Sequence, residues 1–113
     1  LGADLSGADL SRAKLNRAYL SKAILWMANL SQAELRGAEL RGAEMRGTDL
    51  NNADLFGADL QGARGVTSEQ IAKAGTLYGA TMMDGTKYDP ARHTEIAKLR
   101  IEAGLDDGNT PPD

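Results

Sequence analysis

Apolar residues recur along the first half of the chain at a spacing that fits neither regular secondary structure. Leucine stands at every fifth position from Leu5 to Leu60, with Met45 in place of one. Alanine stands two residues earlier from Ala3 to Ala63, with Thr48 in place of one. On an α-helix, at about 100° per residue, leucines five apart land roughly 140° from one another and make no stripe. On a plain strand side chains alternate, so an odd spacing sends each next leucine to the opposite face. The chain must therefore turn once in every unit, thirteen times between Leu1 and Gly65.

If each unit is a short extended piece followed by a corner, the alanine and the leucine two residues on share the inward side. The other three positions face water. The residue between them is mostly charged or polar (Asp4, Asp9, Lys14, Asn29, Glu34 and their successors), and glycine closes seven of the units, as at Gly7 and Gly37. Glycine accepts the positive φ that a tight corner asks for. Long polar residues stand at several other corners, so glycine is not obligatory there.

The run LGADL SGADL SRAKL resembles the pentapeptide-repeat proteins, whose motif of small residue, Asp or Asn, Leu and two variable positions matches A-D-L-S-G over residues 1–65. The segment TLYGATMMDGTKYD is also similar to closing segments of bacterial, especially cyanobacterial, members. The resemblance implies an all-β solenoid: a right-handed quadrilateral β-helix with four units per coil and slightly more than three coils. Residue n should then stack on n+20 about 4.8 Å away. Leu5, Leu25 and Met45 should share one inner column, and Leu10, Leu30 and Leu50 another. Lys14, Glu34 and Asp54 should share an outer one.

The repeat stops where Gly65 replaces leucine. Thr67 and Gln70 form a capping-box pattern, which predicts a helix from Ser68 to Ala74 closed by Gly75. Leu77, Ala80 and Met82 predict one more turn, out of the original frame. Asp89 and Pro90 suit an N-cap and first position, predicting a second helix over Ala91 to Ala103 with Gly104 behind it. The domain reading is a repeat unit at 1–65, an α-helical cap at 66–104 and a flexible, acidic, Pro-rich tail at 105–113.

A chain of 113 residues, 42% apolar, is expected to form one domain around a narrow column of Leu and Ala. Zero cysteines exclude disulfides and thiolate metal sites, and one histidine, His93, excludes a histidine cluster. No cofactor motif, phosphate loop or nucleophile pair appears, so no enzyme is expected. The recurring Glu34, Glu39 and Glu44 fall on three different faces and read as solvated, as does His93. The basic run around Arg36, Arg41 and Arg46 is dispersed in the same way, against direct nucleic-acid binding. No secretory signal or membrane segment is visible, and a cytoplasmic location is expected. The chain nevertheless begins in mid-pattern, so an upstream targeting segment or further repeats stay open.

By elimination, the expected role is a non-enzymatic structural or protein-interaction module, a rigid β-helical scaffold for an unidentified protein partner. The alternative implied by the family is a DNA-mimic inhibitor of a type II topoisomerase such as DNA gyrase. That role needs a strongly negative rod. Residues 1–65 carry eight basic side chains (12, 14, 17, 22, 36, 41, 46 and 64) against eight acidic ones (4, 9, 34, 39, 44, 49, 54 and 59). The candidate contact patch lies where the outward positions turn apolar, at Ile24, Trp26 and Met27. Coverage of that patch by Ile96 and Leu99 of the second helix, or Trp26 lying flat on Gly47, is the competing expectation.

Overall fold

The computed structural model describes residues 2–111. From Leu5 onward each unit closes a tight turn, in which the amide three residues after a leucine donates to that leucine's carbonyl: Ala8 to Leu5 at 3.0 Å, Ala13 to Leu10 at 3.1 Å. The turn's third residue has positive φ, whether glycine (Gly7, +70°) or not (Arg12, +61°; Met27, +58°). Units then meet through single-residue parallel bridges at a spacing of twenty: Asp4 to Ile24 to Glu44 to Arg64 on one side, and Asp9 to Asn29 to Asp49 on the next. Lys14, Glu34 and Asp54 form the third stack, and Tyr19, Glu39 and Asp59 the fourth. We call each level of twenty residues a rung.

The expectation of an all-β solenoid, a quadrilateral β-helix with strand-built faces, is corrected here. Among the described residues there is no β-strand and no sheet. The only continuous regular elements are α1 (Ser68–Ala72) and α2 (Thr94–Glu102), and the remainder is turn and coil joined by isolated bridges. The cause is the length of the unit. Two of five residues are spent on the corner, and one residue per side is left to bridge its neighbour above and below, so consecutive bridges never build a ladder. The reading of a rigid β-helical scaffold, which rested on those strands, falls with them.

Burial follows the period of five. Leu25, Leu30, Leu35, Leu40, Met45 and the alanines between them are wholly inside. In the first rung Leu5, Leu10, Leu15 and Leu20 are only partly buried, because no described residue lies beneath them. Thr48, which replaces an alanine, is buried without a loose polar atom, since its hydroxyl donates to the Leu25 carbonyl at 2.7 Å.

The outward Asp and Asn residues do more than meet solvent. Asp9 accepts the Ser11 amide at 3.1 Å, and Asn29 accepts the Ser31 amide at 2.9 Å. Asp49, Asp54 and Asp59 serve the corresponding amides of Asn51, Phe56 and Gln61. A short side chain reaches the amide two residues on and fixes the corner. At Asp4 and Asp9 the serine hydroxyl donates as well, and the two bonds hold each carboxyl below its ordinary pKa of 3.8.

α1 replaces one unit of the second stack and shifts the frame, so that Asp54 bridges Thr76 and Asp59 bridges Thr81. Thr67 caps it with the expected capping box, and Gln70 reaches back to the carbonyls of Met45 and Thr48. It ends at Ala72 rather than Ala74. α2 begins at Thr94, not Ala91, because residues 89–93 close into a separate turn: the Asp89 carbonyl accepts the Arg92 and His93 amides. Its Ile96 is buried, and the helix packs against α1.

Arg100 of α2 is 1% exposed and joins the parts of this end. Its guanidinium donates to the carbonyls of Ala72, Ala74 and Gly75 and to the Asp106 carbonyl and carboxylate. The tail, expected to be flexible from residue 105, is engaged over its first part: the Leu77 amide donates to the Gly108 carbonyl at 3.0 Å, and the Tyr88 hydroxyl donates to the Asp107 carbonyl.

Candidate protein-contact site

The second rung begins with a unit whose inward residues, Ala23 and Leu25, are buried, while Ile24, Trp26 and Met27 take the outward positions. Ile24 is the bridge between Asp4 below and Glu44 above. Trp26 and Met27 form the following corner, and both project: Trp26 is 44% exposed and Met27 69%. The Arg46 guanidinium one rung up lies 6.0 Å from the Trp26 ring centroid, within reach of a cation–π contact.

Met27 rather than Trp26 lies along Gly47, its sulfur in the space that a β-carbon there would fill. The same relation recurs at two other corners. The side chains of Arg17 and Lys22 lie over Gly37 and Gly42. A left-handed corner residue in one rung thus covers a bare glycine corner in the next, an arrangement visible only once residues twenty apart are stacked.

Tyr19, on the adjoining side, is 84% exposed and was not singled out in the sequence. Its outward position resembled the charged ones around it, and only its accessibility marks it. Phe56 and Tyr78 stack at 5.8 Å, with the Arg36 guanidinium 5.3 Å from the Phe56 ring, leaving both aromatics half-buried. Arg36 pairs with Asp54 at 2.5 Å and Arg41 with Asp59 at 3.1 Å, so cations and anions alternate along the coil.

His93, read as a solvated surface residue, is corrected: its side chain is 10% exposed. Nε2 lies 3.0 Å from the Thr86 hydroxyl, Nδ1 accepts the Asp89 amide at 3.0 Å, and the ring stacks on Tyr88. Burial pushes the Tyr88 phenol up to about 12. Among the described residues no group of three or more His, Asp or Glu side chains could hold a metal ion. No described helix is long and apolar enough to cross a membrane.

Comparison with known proteins follows the pattern of the repeat. A family model described as "Pentapeptide repeats (8 copies)" matches residues 1–37 and 33–64. Among solved structures, the chain is similar to alr5209, a pentapeptide repeat protein from Nostoc Pcc 7120. The two share 32% identity over 81% of this chain and 82% of that one, with a TM-score of 0.65. QnrB1, a plasmid-mediated fluoroquinolone resistance protein, aligns at 21% identity over 91% of this chain and 43% of its own, with a TM-score of 0.46. A pentapeptide repeat protein of the Arabidopsis thaliana thylakoid lumen, AT2G44920, aligns at 26% identity over 88% and 77%, with a TM-score of 0.39. A search of curated proteins gave no match.

Proposed function

This chain belongs to the pentapeptide-repeat family, and from that premise we propose that it is a protein-binding module whose contact surface is centred on Ile24, Trp26 and Met27. On this reading the module binds and does not catalyse. The observation that carries the reading is the joint exposure of Trp26 and Met27 at one corner, with Arg46 beside the indole. A large amphipathic ring offers much contact area with few torsions to freeze, which is why tryptophan anchors interfaces so often. Ser6, below Trp26 in the stack, is too small to shield the ring, and Arg46, above it, leaves the residue 44% exposed.

The interleaved pairs Arg36 with Asp54 and Arg41 with Asp59 disfavour mimicry of a polyanion, since the field they leave is short-ranged. The test is capture. Trp26→Ala should reduce retention of the proteins held by the immobilised wild-type chain at least about fivefold, on the scale of losing one interface anchor, with the melting temperature unchanged. A large loss of stability with retention intact would assign Trp26 to the fold and remove the proposal.

A further inference from the structure

The eight basic and eight acidic side chains of the repeat are not spread evenly around the coil. The side built on Asp4, Ile24, Glu44 and Arg64 lies between two corners, one carrying Lys22 and Arg41 and the other Trp26, Met27 and Arg46. With its corners it gathers four of the eight cations and only two of the eight anions, Asp4 and Glu44. The other three sides hold the remaining four cations among six anions. The coil is neutral as a whole and positive on the side that bears Trp26.

Three of the four cations there are uncommitted. Arg41 pairs with Asp59 on the neighbouring side, whereas Lys22, Arg46 and Arg64 are exposed and form no ion pair among the described residues. Lys22 and Arg64 line one cleft of about 290 Å³ together with Gly42, Gly62 and Glu44. The two glycines bring no side chain into it, and the stem of Lys22 lies over Gly42. Ile24, Trp26 and Met27 continue the same surface beyond the cleft.

We infer that the partner of this surface is an acidic peptide segment, which sets an apolar side chain on Trp26 and Met27 and a carboxylate in the cleft between Lys22 and Arg64. The inference rests on the reading of Ile24, Trp26 and Met27 as a contact surface and adds its chemistry. Charges of opposite sign steer such a partner and fix its register, while the apolar anchor supplies most of the affinity. Ile24 and Arg64 are two rungs apart, about 10 Å, which is the reach of about three residues of extended chain. The anchor and the carboxylate therefore stand about three positions apart. An anionic lipid surface also meets cations beside apolar side chains, but here it presses on Asp4 and Glu44 as well. A single carboxylate enters the cleft between the two cations.

The experiment is affinity selection from a phage-displayed library of random short peptides, run in parallel on the immobilised wild-type chain and on Trp26→Ala. Peptides enriched on the wild type alone should be net negative, with an aromatic or aliphatic residue about three positions from Asp or Glu. Synthesised with a fluorophore, the strongest should bind the Lys22→Glu, Arg64→Glu double variant at least about tenfold more weakly, as two attractions turn into repulsions. Its affinity should also fall as salt is raised. A circular dichroism melt checks that the double variant is folded; should it not be, Lys22→Gln with Arg64→Gln must weaken binding at least about threefold. Enriched peptides that are neutral or basic yet need Trp26 overturn the acidic partner and leave the contact surface standing. Acidic peptides retained equally by Trp26→Ala overturn the contact surface and this inference with it. The same follows if no peptide is enriched, or if the chain instead sediments with phosphatidylserine vesicles.

Discussion

The sulfur of Met27 occupies the place where a β-carbon on Gly47 would stand, twenty residues on and one rung up. Gly47 has φ of +68°, so alanine there meets two separate penalties. One is the left-handed backbone, about 1–2 kcal/mol for a residue with a β-carbon. The other is displacement of the Met27 thioether.

A double-mutant cycle separates the two. Gly47→Ala should cost more in the wild-type background than in Met27→Ala, with a coupling on the order of 0.5–3 kcal/mol, measured by urea denaturation. Additive effects would mean that Met27 swings away freely and that only the backbone penalty is real.

The inner column predicts a gradient of sensitivity along the coil. Leu30 is wholly buried, and Leu30→Ala should cost about 2–5 kcal/mol, because a column one side chain wide has little freedom to collapse around a cavity. Leu10, in the same stack but only partly buried, should cost less than half as much when replaced. Equal losses at the two positions would contradict the link between burial and cost.

Arg100→Met should be the most damaging single change at the capped end. It leaves the carbonyls of Ala72, Ala74 and Gly75 without their donor and frees the tail at Asp106, a loss of about 3–5 kcal/mol by analogy with breaking a buried ionic contact. Arg100→Lys should rescue little, since an ammonium cannot fan out to carbonyls on several sides as the planar guanidinium does. Hydrogen exchange at the Leu77 amide, which donates to Gly108, should rise with both variants.

Titration acts on this protein from two sides. The carboxyls of Asp4, Asp9 and Asp84 are held below 3.8 by donation from the hydroxyls and amides of Ser6, Ser11 and Thr86. The Asp106 carboxyl is held low first by the Gly108 amide and then by Arg100. A carboxyl whose folded pKa is depressed adds stability above pH 3.8, which is lost as the pH falls through the lower folded value. Melting temperature should therefore drop below about pH 4. At the other extreme, the folded chain holds the Tyr88 proton up to about 12, so stability should fall as pH rises from 10 towards 12. Absorbance of the phenolate against circular dichroism checks this, and Tyr88→Phe should flatten the alkaline limb.

The period of five was enough, by itself, to place the inner column and the corners, and the resemblance to the pentapeptide repeats implied the stacking of n on n+20. A spacing that defeats both helix and strand leaves a repeated turn as the only way to bring Ala and Leu inside, so Ala28, Leu30 and their equivalents were legible as core. The capping box at Thr67 and Gln70 was legible for the same local reason. What depended on residues far apart was not. Whether a side of the coil counts as a strand depends on how many neighbouring residues bridge at once, and a five-residue unit with two spent on its corner allows one. Nothing local singles out Arg100, around which the fold brings three carbonyls of residues 72–75. His93 looked like a surface residue until the turn closed by Asp89 folded its ring under Thr86 and Tyr88. Trp26 was visible as an apolar residue in an outward position, but its exposure was set by what did not cover it. α2 found its partner in α1, a contact between elements more than twenty residues apart that no local pattern encodes.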